Sequence, residues 1–210
     1  MKYPCAGIIL AGGLNRRMAG RNKAFLSVGD RSIIGRQIDL FQELFEQVIL
    51  VTNRPLEFCS WETPIIVSDL LSIRSSLTGI HAGLFYTRAS HAFVAACDMP
   101  FLKKEMILRL LLEVELKWDV IVPLTKEGYQ PLCAVYSKRC LKPIEEQLTK
   151  GEMKISTLYS RVKVKKIPEE TLRQVDPDLI SFFNINTQED LAVSQKMRGS
   201  LTDGQSKQGL

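Results

Sequence analysis

The sequence GIILAGGLNRRMAGRNK at residues 7–23 determines how the rest of the chain is interpreted. It begins as an apolar run that predicts a buried strand, and this strand ends at the paired glycines Gly12 and Gly13. Paired glycines let the backbone turn sharply and bring bare N–H groups close to a ligand. Cations follow at positions 16, 17, 21 and 23. Their charge suits a polyanion, most simply a triphosphate.

This glycine-rich loop follows neither of the two common phosphate-binding spacings. It lacks both G-x-x-x-x-G-K-[ST] and G-x-G-x-x-G. The alternative interpretation is a tight turn between a strand and a helix, with arginines that are simply solvated. The length of the run and its repeated glycines favour a nucleotide-binding loop of another kind.

Length and composition predict a single globular domain. The chain has 210 residues, of which 45% are hydrophobic and 24% are charged, so we expect one α/β domain over residues 1–196. From about residue 197 the sequence is polar and rich in Gly, Ser and Gln, so residues 197–210 are predicted to be a disordered tail. No apolar run approaches the roughly 20 residues that span a membrane, and no signal-peptide pattern is present. We therefore expect a cytoplasmic protein without membrane contact.

Charge and cysteine content argue against further classes of protein. The net charge is +5, but no segment interleaves aromatic residues with Lys and Arg, so we expect no nucleic-acid partner. The basic segment at residues 161–166 predicts a strand with one solvated face, with anion binding as the alternative. Five scattered cysteines without a C-x-x-C pair argue against disulfides and a structural zinc site. Cys5, Cys97 and Cys133 lie in apolar runs and are expected to be buried thiols.

Apolar runs alternate with helical patterns along almost the whole chain. Strands are predicted at residues 5–11, 48–52, 64–67, 92–97, 119–124, 132–136, 162–167 and 182–185. Helices are predicted at residues 32–46, 77–87, 104–116, 138–149 and 155–159, and from about residue 187. Strands that are apolar throughout and separated by helices indicate a mostly parallel sheet covered on both faces, a three-layer α/β fold.

Unusual polar residues follow the predicted strands. Gly12 and Gly13 follow the first strand, Asp69 the third and Asp98 the fourth. Folds of this type bind ligands at the carboxyl ends of their strands. Asp69 is therefore a candidate for holding a nucleotide's sugar or base, although a loop cap explains it nearly as well.

Asp98 and Lys23 are the strongest candidates for chemistry. Mg²⁺ prefers oxygen ligands and commonly uses one or two carboxylates together with substrate phosphates, so a carboxylate at a strand end suits it. The alternative for Asp98 is a cap of the following turn. Lys23 would neutralise phosphate charge or stabilise leaving pyrophosphate, and Arg17 is a plausible second clamp on the phosphates.

The segment FFNINTQEDL at residues 182–191 supplies two amides. Thr187 is explained by a helix N-cap with acidic residues in the first turn. The N-cap does not account for Asn184 and Asn186. These two residues alternate along a predicted strand, so both could face a ligand. Their amides offer donors and acceptors to a polar ligand or a phosphate.

Several motifs together resemble one known family. The pattern L-A-G-G-x-x-R-R-M-x-G-x-x-K, the segment CDMPF and the segment FFNINTQEDL resemble those of molybdenum cofactor guanylyltransferases, which have a Rossmann-like nucleotidyltransferase fold. The segments GYQPLCAVY and GEMK also match this family. The resemblance covers roughly residues 5–193. The chain departs from the family pattern at Ala19, Asn22 and Thr78, which leaves Lys23 and Asp98 in place.

The resemblance implies a set of functional residues. It implies that Arg17, Lys23 and Asp98 are catalytic, and that Asp98 binds a metal. The implied nucleotide-binding residues are Leu10, Ala11, Gly12, Gly13, Lys23, Asp69 and Asp98. The implied acceptor-binding residues are Gln130, Lys154, Asn184 and Asn186.

The resemblance also implies a reaction. In it GMP passes from GTP to molybdopterin-bound molybdenum cofactor, giving the guanine dinucleotide form and pyrophosphate, with Mg²⁺ as cofactor. GTP and the molybdenum cofactor are then the expected partners, and molybdoenzymes or their chaperones are candidates for further ones. Alternatives are a cytidylyl- or sugar-phosphate nucleotidyltransferase, and a non-catalytic carrier of the molybdenum cofactor. A nucleic-acid-binding protein ranks last.

Overall fold

The computed structural model describes residues 2–12, 23–29 and 31–205, and it describes side chains as far as residue 197. The predicted nucleotide-binding residue Gly13 and the predicted catalytic residue Arg17 lie outside this part of the chain. So do the departures at Ala19 and Asn22.

Strands and helices alternate as the sequence predicts. The strands are β1 (Ala6–Leu10), β2 (Ser27–Val28), β3 (Arg31–Ser32), β4 (Val48–Val51), β5 (Ile65–Val67), β6 (His91–Ala96), β7 (Val120–Thr125), β8 (Gly128–Tyr129), β9 (Cys133–Ser137) and β10 (Val164–Pro168). The helices are α1 (Ile33–Leu44), α2 (Ser76–Tyr86), α3 (Lys104–Leu111), α4 (Leu141–Thr149), α5 (Ile155–Leu158), α6 (Glu169–Arg173) and α7 (Gln188–Gln205). Short 3₁₀ helices lie at Lys23–Phe25, Pro55–Phe58, Lys138–Cys140 and Ile180–Phe182.

The main sheet is mostly parallel, as predicted. Its strand order is β10-β7-β9-β6-β1-β4-β5, and β8 pairs with β7 at the side. The pairs β1–β4, β1–β6, β4–β5 and β7–β10 are parallel. Strand β9 runs antiparallel to both of its neighbours, β6 and β7. This reversal places β6 and β7 in the same direction, so their carboxyl ends lie at one edge of the sheet.

The two faces of the sheet carry separate hydrophobic cores, which gives three layers. Ile9 of β1 belongs to the core that includes α1 and α3, whereas Ile8 belongs to the core that includes α2, α4 and α5. Neighbouring strand residues point to opposite faces, so a fully apolar strand can serve both cores. The three-layer α/β fold is therefore confirmed.

Helix α2 approaches the sheet closely because of its glycines. A Cβ atom at Gly83 would lie 2.6 Å from Cγ2 of Ile8, and one at Gly79 would lie 3.3 Å from Cδ2 of Leu10. These glycines hold the amino end of α2 beside the carboxyl end of β1.

The predicted strand at residues 182–185 is wrong. Its first residue ends the 3₁₀ helix Ile180–Phe182, and the following residues pair with no strand in the described structure. The Asp176 carboxylate accepts the N–H of Ser181 at 2.8 Å, and Leu179 has a positive φ of 53°. These two features turn the chain away from the sheet. Among the described residues, one backbone bond ties the segment to the carboxyl edge of the sheet, from the N–H of Ile185 to the carbonyl of Asp98 at 3.0 Å.

Helix α7 is longer than the sequence suggests. Helix α7 continues to Gln205 and so crosses residue 197, the predicted start of the tail. The division into a domain over residues 1–196 and a tail over residues 197–210 stays a prediction. Among the described helices, none is both long and apolar enough to span a membrane.

We predict that Gly83→Ala destabilises the fold, although alanine is the better helix former by about 1 kcal/mol. The new methyl group would overlap Ile8. Overpacking of this kind costs about 1–3 kcal/mol, which exceeds the gain in helix propensity, so the free energy of unfolding should fall. Urea denaturation of the variant and the wild type measures this difference in the free energy of unfolding. In an Ile8→Ala background the clash disappears, so Gly83→Ala should there be neutral or stabilising; an equal penalty in both backgrounds would contradict the explanation.

Candidate active site

A cleft opens at the carboxyl ends of the parallel strands, beside the amino end of α2. We call it the first cleft; it is lined by Leu10, Gly12, Val51, Asp69, Ser75, Ser76, Gly79, Ala96, Cys97, Asp98 and Leu132. The structure thus brings together four predicted nucleotide-binding residues, namely Leu10, Gly12, Asp69 and Asp98. Ala11 lies just behind the lining, where it is buried and donates its N–H to the carbonyl of Val51 at 2.8 Å.

Asp98 presents a carboxylate that lacks a full set of partners. Its Oδ1 atom is buried and has no hydrogen-bond partner among the described residues. Burial raises the pKa of the Asp98 carboxyl above its ordinary value, while its own backbone N–H and the charge of Lys23 act in the opposite direction. A buried anionic oxygen without a partner is costly, so the site favours a cation.

The donor set around Asp98 fits a divalent metal that shares its ligands with a substrate. The described residues hold no group of three or more His, Cys, Asp or Glu side chains able to bind a metal ion. Mg²⁺ does not need such a cage, because it is usually held by one or two carboxylates, waters and substrate phosphates. Asp98 could hold it, and Asp69 lines the same cleft.

Lys23 is not among the lining residues of either cleft, but it contacts the segment around Asn186 and lies near Asp98. Its side chain is largely buried, and Nζ donates a hydrogen bond to the carbonyl of Asn186 at 2.7 Å. Its charge also acts on the pKa of Asp98. The cation that ends the glycine-rich loop therefore lies near the predicted metal ligand.

Asp69 is held by its neighbours at the rim of the first cleft. Its Oδ2 accepts a hydrogen bond from Nδ2 of Asn53 at 2.8 Å. Burial raises the pKa of the Asp69 carboxyl, while the Asn53 hydrogen bond and the charge of Arg74 lower it. The Asn53 bond fits the loop-cap interpretation as well as a contact with a nucleotide.

The amino end of α2 is a feature that the sequence analysis missed. The N-cap Ser75 accepts the N–H of Thr78 on its Oγ atom at 3.1 Å, and both Ser75 and Ser76 line the first cleft. A helix amino end offers free N–H groups and a positive dipole to an anion. The signal in the sequence was a serine pair directly before an apolar helical pattern.

Three of the four predicted acceptor residues line a second cleft. This second cleft includes Gln130, Asn184 and Asn186, together with Thr125, Lys126, Glu127, Glu169, Arg173, Asp178, Leu179, Ile180, Phe182, Phe183, Asp190 and Met197. Gln130 donates its N–H to the carbonyl of Pro123 at 3.0 Å. The Asn184 side chain is exposed and donates to the carbonyl of Phe182 at 3.2 Å.

The structure does not bring Lys154 into this group. Lys154 is exposed at the N-cap of α5 and lines neither cleft. Its carbonyl accepts a hydrogen bond from Nε2 of Gln147 at 2.9 Å, which ties this turn to α4 instead.

Cys97 lines the first cleft, and its thiol is buried. Cys5, Cys97, Cys133 and Cys140 are buried, and all five cysteines are free. Burial raises the pKa of the Cys97 thiol to about 12, so it is not a nucleophile at neutral pH.

The fold and the first cleft define the class of protein as a nucleotidyltransferase. The model of the MobA-like NTP transferase domain matches residues 7–165. A molybdenum cofactor guanylyltransferase from Desulfosudis oleivorans is 47% identical over 185 residues, which cover 88% of this chain and 91% of that protein. The chain belongs to the molybdenum cofactor guanylyltransferase family, as its motifs predict. Enzymes of this type generally use a divalent metal.

Solved structures agree with this assignment. Molybdopterin-guanine dinucleotide biosynthesis protein A from Archaeoglobus fulgidus is 30% identical and superposes with a TM-score of 0.82, covering 93% of this chain and 99% of that one. A 4-diphosphocytidyl-2C-methyl-D-erythritol synthase from Anaerococcus prevotii has a TM-score of 0.68 at 18% identity, covering 94% and 96% of the two chains. The second similarity shows the fold alone.

We predict that Asp98→Asn abolishes turnover without harming the fold. The loss of a metal-binding charge should lower kcat at least about 100-fold. The melting temperature should stay equal or rise, because the buried charge is already disfavoured where it lies. Steady-state kinetics and calorimetry measure the two effects.

The matched control is Asp119→Asn. Asp119 is a buried aspartate directly before β7, and its carboxylate is bonded to Nε of Arg139 at 2.5 Å and to the N–H of Lys163 at 2.8 Å. This variant should lose stability and keep its activity while folded. Full activity in Asp98→Asn would contradict the assignment of the site.

Proposed function

We propose that this chain transfers GMP from GTP to the molybdopterin-bound molybdenum cofactor, which gives the molybdopterin guanine dinucleotide cofactor and pyrophosphate. The observation that carries the proposal is that Asp98 lines the first cleft with a buried carboxylate oxygen that has no hydrogen-bond partner among the described residues. Lys23 lies nearby and is bonded to Asn186 of the second cleft. We infer that Lys23 serves both substrates, because its charge acts on Asp98 and its ammonium contacts Asn186.

In this proposal the first cleft binds the triphosphate. The amino end of α2, the backbone at Gly12 and the Lys23 ammonium are the described groups that suit phosphate oxygens. Asp98 would hold Mg²⁺, which when bound supplies positive charge to the phosphate oxygens. Arg17 is proposed as a second clamp on the phosphates. The terminal phosphate of the acceptor attacks the α-phosphate of GTP in line, and pyrophosphate leaves with its charge offset by Lys23.

The second cleft is the proposed acceptor site. Gln130, Asn184 and Asn186 offer amide donors and acceptors to a pterin or a phosphate. No side chain needs to act as a nucleophile, because the acceptor phosphate itself attacks. The protein then works by holding the two substrates in line and by offsetting charge.

The first test measures pyrophosphate release from each of the four nucleoside triphosphates, with Mg²⁺ and purified molybdenum cofactor. We expect release with GTP alone. Release with CTP alone would overturn the guanylyl assignment and keep the mechanism. If none of the four releases pyrophosphate while the cofactor still binds, the result would favour a carrier. Asp98→Ala would then leave cofactor delivery unchanged.

We predict that Asn184→Ala weakens acceptor binding. The loss of one amide contact costs about 0.5–1.5 kcal/mol, so KM for the molybdenum cofactor should rise about 2- to 10-fold. KM for GTP should not change, because Asn184 does not line the first cleft. Lys154→Ala is the control and should leave both KM values unchanged. A higher KM for the molybdenum cofactor in Lys154→Ala, with no change in Asn184→Ala, would assign acceptor binding to Lys154 instead.

A further inference from the structure

Gln37 is a buried amide in a helix face that is otherwise apolar. It lies in the second turn of α1 between Ile34 and Phe41, and only 3% of its surface is exposed. Burying an amide costs free energy unless its polar atoms are bonded, and an aliphatic side chain would pack there without that cost. The contacts of Gln37 therefore need an explanation.

Both of its described hydrogen bonds go to the loop that carries Asp98. Nε2 of Gln37 donates to the carbonyl of Ala96 at 2.8 Å and to the carbonyl of Met99 at 3.2 Å. These two carbonyls flank Cys97 and Asp98 along the chain. A single NH₂ group thus holds the backbone on both sides of the predicted metal ligand.

The other anchors of this loop come from different parts of the fold. The N–H of Cys97 donates to the carbonyl of Leu10 at 3.0 Å, and the carbonyl of Asp98 accepts the N–H of Ile185 at 3.0 Å. Met99 lies beyond the end of β6, and its carbonyl accepts its described hydrogen bond from Gln37. Without Gln37, the carbonyl of Met99 would lose the donor that the structure describes for it, and the bond from Ile185 would remain on the carboxyl side of Asp98.

We propose that Gln37 is a positioning residue for the metal-binding carboxylate of Asp98. This inference rests on the proposed function, because it concerns the metal that Asp98 would hold. By fixing the peptide groups around Asp98, Gln37 keeps the carboxylate in place before metal and nucleotide arrive. Binding then does not have to order the loop, and groups of this kind that support a ligand typically change metal affinity 10- to 100-fold when mutated.

The test compares two glutamines with the same chemistry. Gln147 is also fully buried, and its Nε2 donates to the carbonyls of Glu152 at 3.0 Å and Lys154 at 2.9 Å, at a turn that lines neither cleft. Gln147→Met therefore matches Gln37→Met in size, in burial and in the number of carbonyls that lose a donor. It controls for the loss of stability alone.

The measurement is the binding of Mn²⁺ to the full chain in the presence of GTP, followed by the electron paramagnetic resonance signal of free Mn²⁺. We expect Gln37→Met to weaken Mn²⁺ binding at least about tenfold and to raise the metal concentration needed for half-maximal turnover. Gln147→Met should leave both values at those of the wild type. Equal Mn²⁺ affinity in Gln37→Met and the wild type would overturn the inference.

Two further arms keep the outcome clear. If Gln37→Met does not fold, Gln37→His retains one ring donor and should bind Mn²⁺ with intermediate affinity; wild-type affinity in that variant would overturn the inference as well. A wild-type chain that binds Mn²⁺ with GTP but releases no pyrophosphate would refute the proposed function and leave the role of Gln37 testable by binding.

Discussion

The parallel pairing of β1 with β6 is the interaction on which the site depends. It aligns Leu10 with Ala96, and the ladder continues one step further through the N–H of Cys97 and the carbonyl of Leu10. The strands therefore end together, and the backbone that follows each of them emerges at the same place. Without this register, Gly12 and Asp98 would not line one cleft.

The site combines features that would each be unfavourable alone. A buried carboxylate oxygen without a described partner, a largely buried lysine and a buried glutamine all carry desolvation costs. The surrounding fold offsets these costs, since an apolar core packs against each face of the sheet. The free energy gained by burying those cores allows the first cleft to keep a buried carboxylate oxygen without a described partner, which suits a site for charged ligands.

Much of the fold and part of the site were predictable, because they follow from local patterns. Strands apolar throughout predicted the parallel sheet, and Asp98 was singled out because it directly follows such a strand. The strand predicted at residues 182–185 is wrong because the carboxylate of Asp176, only five positions earlier, accepts the N–H of Ser181 and turns the chain before this segment begins. Gln37 was missed for a different reason: its partners lie about 60 positions away in sequence, so a polar residue in an apolar helix face did not indicate them.

Strand β9 divides the carboxyl edge of the sheet into two halves. On one side, β6, β1, β4 and β5 carry the first cleft, and on the other, β7 and β8 border the second. The short connection into β9 contributes Leu132 to the first cleft and Gln130 to the second. Because the two clefts share no lining residue in the described part of the chain, a substitution in one lining leaves the residues of the other unchanged. Such a fold can exchange its acceptor over evolutionary time while it inherits the machinery for the nucleotide unchanged.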